Sequence, residues 1–254
     1  MTKYLICLIF GSFLFSQDLT PEEILTYVAS HPKPESSITE IRLEITRMKK
    51  SKKKVKVREF TRYEKVYKSG KFKSKSLARF HKPTIVKGTS FLSWVYKNGK
   101  TEQWFSLPKI QKAKKVKAND RAKSFLNTDF TYEDLENRSF GLDSLSNLGS
   151  ETLDGKICKV IMAWPKDKSS YFCRKIWVNS QSWRIAKVEY YSTESKKEKT
   201  LYVSDFIKKN EFSIAGKMVM EKENGDKTVM EVMSYKPDVG LQEEVFTKEF
   251  LVKK

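Results

Sequence analysis

Trp104-Phe105-Ser106-Leu107-Pro108, a basic run from Lys109 to Lys123, then Ser124-Phe125-Leu126-Asn127-Thr128-Asp129-Phe130-Thr131-Tyr132-Glu133-Asp134-Leu135: this stretch carries the reading of the fold. Its first part is a strand that stops at Pro108, because proline has no N–H for a ladder. Seven Lys or Arg follow between Lys109 and Lys123, with Asp120 the only acid among them. The closing block interleaves aromatic and acidic side chains. Neither strict strand alternation nor the helical period of about 3.6 residues fits it. A basic arm beside a polar-aromatic flap is unlike a plain basic β-protein and implies a covered interior.

Outward from this stretch the chain reads as β almost throughout. Ile41, Leu43 and Ile45 alternate with Glu40, Arg42, Glu44 and Thr46, as in a half-buried antiparallel strand. The lysines from Lys49 to Lys54 mark a hairpin tip, with Val55 to Tyr67 as the return strand and Ser76 to His81 as the next. Asn98-Gly99 is the clearest turn, since both residues tolerate positive φ. A two-residue loop there pairs Leu92 with Phe105 and Trp94 with Gln103. Leu92, Trp94, Tyr96 and Phe105 then share one face, and Phe91, Val95 and Trp104 the other. Two apolar faces imply cover on both sides. Ile157 to Trp164 and Tyr171 to Val178 form a later hairpin after Asp154-Gly155. The strands Trp183–Tyr191, Lys199–Lys208, Glu211–Glu221 and Lys227–Tyr235 continue the meander, with Asn224-Gly225 as a turn. The tail from Pro237 reads as irregular or as a short strand. Thr20-Pro21-Glu22-Glu23 starts a short helix with a capping box, and Ile24, Leu25 and Val28 form its apolar stripe. A second helix or a lid is expected near residues 120–146. This pattern predicts an open or closed antiparallel barrel.

Met1 to Ser16 reads as a secretory signal peptide, with Lys3 as its positive region and Leu5 to Phe15 as its apolar core. Residues 17–254 are then expected to form one domain in the periplasm. The formal net charge of +19 ordinarily points to nucleic acid. Behind an export leader the accessible polyanions are membrane surfaces and acidic partners instead, and no nucleic acid is expected. Cys158 and Cys173 are candidates for a disulfide in an oxidising compartment. A two-residue loop at Pro165-Lys166 sets them opposite each other, and a longer loop does not.

The catalytic inventory is poor. His31 and His81 have no Cys or acid at metal-ligand spacing. No nucleophile elbow and no phosphate-binding glycine loop occurs. Asp129, Glu133 and Asp134 imitate a carboxylate pair, but such a cluster more often positions a segment or pairs with nearby cations. No enzyme, metal or cofactor is expected. Met218, Met220, Met230 and Met233 sit on the last two strands, where unbranched thioethers make adaptable apolar walls.

With these landmarks in place, the chain resembles the outer-membrane lipoprotein-sorting family, the LolA-like group. The motifs run in order: Arg79-Phe80 with Pro83; Lys87-Gly88-Thr89; Trp104 to Pro108; Ser124-Phe125 through Asp134; Asp154-Gly155 with Cys158; Trp177-Val178; Val188-Glu189-Tyr190-Tyr191; Met218 and Met220-Glu221; Gly240-Leu241; Phe246-Thr247. The resemblance implies a mainly β fold, an incomplete antiparallel barrel of about ten or eleven strands closed by helices around an apolar cavity. It implies a carrier that shields acyl chains of lipoproteins or lipids on the way to the outer membrane. Its partners would be an inner-membrane donor transporter, an outer-membrane acceptor and a transiently touched membrane surface. Phe125, Phe130 and Leu135 would lie in the covering flap. Leu92, Trp94, Phe105, Met218 and Met220 would form the wall. Lys112, Lys114, Lys115 and Lys117 would form a basic rim. The alternative is a non-enzymatic envelope binding or scaffold protein that uses its basic surface on anionic lipids or glycans.

Overall fold

Thr20 starts the chain's first helix as its sequence dictates. Its Oγ1 accepts from the Glu23 amide at 3.2 Å, and Glu23 Oε2 accepts from the Thr20 amide at 2.7 Å. This helix, α1 (Pro21–Ala29), buries Ile24 and Leu25. The computed structural model describes residues 19–49, 52–110, 112–136, 141 and 143–253. The predicted leader, Met1 to Ser16, lies outside the described residues, as do Lys50 and Ser51 at the expected hairpin tip.

The strands are β1 (Ser36–Lys49), β2 (Lys52–Val66), β3 (Phe72–Lys82), β4 (Ser90–Tyr96), β5 (Thr101–Ser106), β6 (Lys114–Lys115), β7 (Asp143–Leu153) and β8 (Lys156–Pro165). They continue with β9 (Cys173–Asn179), β10 (Ile185–Tyr191), β11 (Lys197–Ser204), β12 (Ile207–Lys209), β13 (Phe212–Ile214), β14 (Lys217–Lys222) and β15 (Lys227–Pro237). Thirteen of them form one sheet in the order β6-β5-β4-β3-β2-β1-β15-β14-β11-β10-β9-β8-β7. Every pairing is antiparallel, and β6 and β7 remain as edges. This is the mainly β, incomplete barrel that was expected. The excess over ten or eleven strands has local causes. β7 begins inside the expected lid region and runs beyond it, and it went unread because Asp143 to Leu153 is too polar to show apolar alternation. The strands expected over Lys199–Lys208 and Glu211–Glu221 break at residues 205–216, where β12 and β13 form their own small sheet. Gly216 permits that break: a Cβ there would stand 2.0 Å from the Asp205 carbonyl oxygen.

The Asn98-Gly99 turn forms, but with a different register. The Tyr96 amide donates to the Lys100 carbonyl at 2.9 Å, so the loop is Lys97-Asn98-Gly99, with Gly99 at φ +86°. Leu92 therefore pairs with Trp104 and Trp94 with Glu102. A slip of one residue moves every side chain of β5 to the other face. Phe105 joins Phe91 on the inner face, and Trp104 joins Leu92 and Trp94 on the outer one.

The outer face of β3–β5 is covered by the C-terminal tail, which corrects the expectation of an irregular end or a strand. A 3₁₀ turn over Glu243–Phe246 leads into α2 (Lys248–Val252). Phe246 and Leu251 are buried against Leu77, Leu92 and Trp104, and Trp94 Nε1 donates to the Phe246 carbonyl at 2.8 Å. Cys158 and Cys173 are free, buried thiols. The loop between β8 and β9 is long, so Cys158 pairs with Asn179 and Cys173 with Tyr191, and the candidate disulfide has no register to form in.

Candidate functional site

The inner face of the sheet carries one large apolar cluster. Phe60, Phe80 and Phe91 from β2–β4, Ile176 and Tyr190 from β9 and β10, and Met220 and Met230 from β14 and β15 belong to it. Two segments cover this face: α1, and the stretch from 118 to 136 that begins where the edge strand β6 ends. Within that stretch Phe125 and Phe130 are buried, and Phe125 meets Phe91 edge-on with ring centroids 4.9 Å apart.

The acids of the stretch pin it to the sheet. Asp129 accepts from Arg47 Nη1 at 2.8 Å and from the Thr228 hydroxyl at 2.7 Å. Asp134 accepts from the Tyr171 hydroxyl at 2.8 Å and pairs with the buried Lys199 ammonium. Glu133 accepts from the Ser170 amide at 2.9 Å and from Arg174 Nη2 at 3.1 Å, while Asp143 stands 3.7 Å from Arg174 Nη1. Arg47 and Arg58 donate to the carbonyls of Asn127 and Leu126. Burial works against the Glu133 carboxylate, but hydrogen bonds from Ser169 and Ser170 and the charge of Arg121 hold it below its usual range. Burial pushes the Lys199 ammonium down, with Asp134 opposing. Most of these carboxylate oxygens accept from fixed donors, an arrangement that positions a cover. Asp129 Oδ1 is buried with no hydrogen-bond partner among the described residues and stands 3.7 Å from Lys222 Nζ. Among the described residues no group of three His, Cys, Asp or Glu is placed to hold a metal.

Beside the pinned stretch a groove of about 830 Å³ opens between α1 and the strands β9–β11. Its apolar lining includes Leu25 and Val28 from α1, Leu145 from β7, Ile176 from β9, Val188 from β10 and Leu201 from β11. Stacking of Tyr27 on Trp183, with centroids 4.6 Å apart and planes at 20°, fixes α1 over the β9–β10 turn. Glu133, Asp134, Asp143 and Arg174 border the groove as a neutralised set.

The residues expected at a lipid site fall into three places. Phe105, Phe125, Phe130, Leu135, Met218 and Met220 all belong to or pack on the inner cluster, which is filled by them. Leu92 and Trp94 lie on the outer face beneath the C-terminal tail, because both faces of β4 are apolar and the sequence does not say which one is inner. None of these eight borders the groove. Lys112, Lys114, Lys115 and Lys117 are exposed along edge strand β6, where Lys115 pairs with Glu102 at 2.6 Å. They too stand outside the groove lining. Sequence reasoning found the stripe on α1 but did not connect it with β9–β11. It also missed the inward cations Arg47, Arg58, Arg174 and Lys199, since a cation on a strand ordinarily marks the wet face.

Residues 72–253 match a family model described as an uncharacterized protein family, and the chain belongs to that family. No functionally curated protein matches the sequence. Among solved structures the chain is similar to a domain assigned as an outer-membrane lipoprotein-sorting protein from Vibrio parahaemolyticus. That likeness has 23% identity and a TM-score of 0.84, over 91% of this chain and 97% of that one. A DUF1329 family protein from Desulfovibrio piger is similar at 25% identity and a TM-score of 0.82, over 90% and 96% of the two chains. A LolA superfamily protein from Nitrosomonas europaea is similar at 18% identity and a TM-score of 0.69, over 92% and 100%. The fold is LolA-like.

Proposed function

We propose that this protein is a non-enzymatic periplasmic carrier that shields acyl chains of lipoproteins or lipids on the way to the outer membrane. The observation that carries the reading is the groove of about 830 Å³ under α1 in a LolA-like fold. That size lies within the ~300–1,000 Å³ typical of small-ligand sites. Covering one CH₂ is worth about 0.8 kcal/mol, so an acyl chain crossing an aqueous gap gains from an apolar groove without any covalent step. On this reading Met1 to Ser16 is removed on export and residues 17–254 form the carrier domain. Cargo would pass from an inner-membrane donor to an outer-membrane acceptor, with the exposed lysines of β6 approaching membrane headgroups. Extraction and mass spectrometry of protein purified from its native envelope test this. Acylated cargo in the extract is the expected result. Repeated recovery without it, together with failure to bind a fluorescent fatty acid, would sink the proposal.

A further inference from the structure

The groove is not electrically uniform. Most of its bordering acids have partners: Glu133 and Asp143 meet Arg174, Asp134 meets Lys199, and Glu136 meets Arg121. At the end where the chain leaves α1, cations gather instead. Lys33, Lys73 and Arg184 all line the groove there, and among the described residues none of the three forms an ion pair with a carboxylate. Arg184 Nη2 stands 3.5 Å from His31 Nδ1 and its guanidinium lies over the Phe206 ring at 4.8 Å. His31 Nε2 is 3.1 Å from the Trp183 carbonyl, which holds the His31-Pro32-Lys33 segment against the β9–β10 turn. Lys73 reaches the same place from the far side of the sheet. It is the extra residue of a bulge, where Phe72 pairs with Tyr96 and Ser74 with Val95. Bulges re-aim a side chain out of the regular alternation. Lys73 is half-buried and close enough to Lys33 for the two charges to oppose each other; burial and that neighbour both push its ammonium down.

Three converging cations without a counter-charge, at one end of an apolar groove, define a complementary ligand. We infer that the groove takes a phospholipid-class amphiphile, with its anionic phosphate headgroup held by Lys33, Lys73 and Arg184 and its acyl chain under α1. This rests on the carrier reading and narrows it, because a neutral acylglycerol anchor gives those cations nothing to bind.

The test uses three short-chain lipids with the same acyl groups: a phosphatidylglycerol, a phosphatidylcholine and a neutral diacylglycerol. Displacement of a fluorescent fatty acid is the readout. The full-length protein should prefer the phosphatidylglycerol. A Lys33→Gln/Lys73→Gln variant should lose about thirtyfold in affinity for it, on about 1 kcal/mol for each of the two cations near an anionic group. The same variant should bind the diacylglycerol unchanged, which also shows that it is folded. A Lys53→Gln/Lys54→Gln variant, altered at the exposed start of β2, should bind all three lipids as the parent does. Equal binding of all three lipids by the parent overturns the headgroup assignment while the carrier reading stands. Binding of none overturns both. Inorganic phosphate that displaces the phosphatidylglycerol headgroup contact at low concentration, without any dependence on the acyl chain, would make this a free-anion site and overturn the assignment as well.

Discussion

Arg174 is the residue on which the inner polar network turns. Its guanidinium lies between Glu133 at 3.1 Å and Asp143 at 3.7 Å, and all three side chains are nearly inaccessible. Removing one partner of a buried ion pair leaves an uncompensated charge, at a cost of about 3–5 kcal/mol. Arg174→Ala should therefore lower the unfolding free energy by about 3 kcal/mol in a denaturant titration. Combining it with Glu133→Gln should recover part of that loss, and a loss below about 1 kcal/mol would contradict the assigned role. None of this was legible locally. Arg174 sits between Cys173 and Lys175 in a strand whose polar residues read as solvent-facing. Its partners lie on the 118–136 stretch and on β7, so only the tertiary arrangement reveals that it points inward. The acids did show themselves as a cluster, and reading them as positioning groups agrees with the hydrogen bonds they accept from distant parts of the chain.

At the scale of elements, the outer face of β3–β5 depends on the C-terminal tail. Phe246 is fully buried among Leu77, Leu92 and Trp104. Truncating a buried phenylalanine costs about 3–5 kcal/mol. Phe246→Ala should thus lower the melting temperature measurably and raise binding of a fluorescent hydrophobic dye, as Leu92 and Trp104 gain access to water. Unchanged melting and dye binding would mean that the tail is not a structural cover. The sequence announced this need, because both faces of the β4–β5 hairpin are apolar, but it did not identify the tail as the answer. The turn itself was legible in Asn98-Gly99, while its length was not. A three-residue loop with Gly99 in the left-handed region and a two-residue loop share the same dipeptide, and they place Phe105 on opposite faces. The start of α1 was legible to the residue, because a capping box is a local device.

At the scale of the molecule, strand alternation was enough to predict a large antiparallel sheet. The groove was not predictable in the same way, because it is a relation between α1 and strands that follow it by a long stretch of chain. Leu201 faces that groove and is only partly buried, so a larger side chain there has space to occupy. Leu201→Trp should leave the melting temperature near that of the parent while weakening a fluorescent fatty acid about tenfold, equivalent to about two CH₂ groups denied burial. Undiminished binding with the fold intact would place the acyl site elsewhere.

The pairing of β1 with β15 has a temporal meaning. Ile41 stands opposite Val232 and Leu43 opposite Met230, so the thirteen-stranded sheet is a union of two smaller ones, β6 to β1 and β15 to β7, joined along this single seam. The first of those smaller sheets is complete in sequence when β6 has been made, yet its β1 edge has no neighbour until the chain reaches Lys227. Pairings this distant in sequence are slow to form and leave strand edges open meanwhile. A newly made chain therefore passes through an interval in which an apolar β1 edge is exposed, and its vulnerability to sticking is concentrated there. A helper that attends this protein during maturation would be needed most before the seam closes, and least after it.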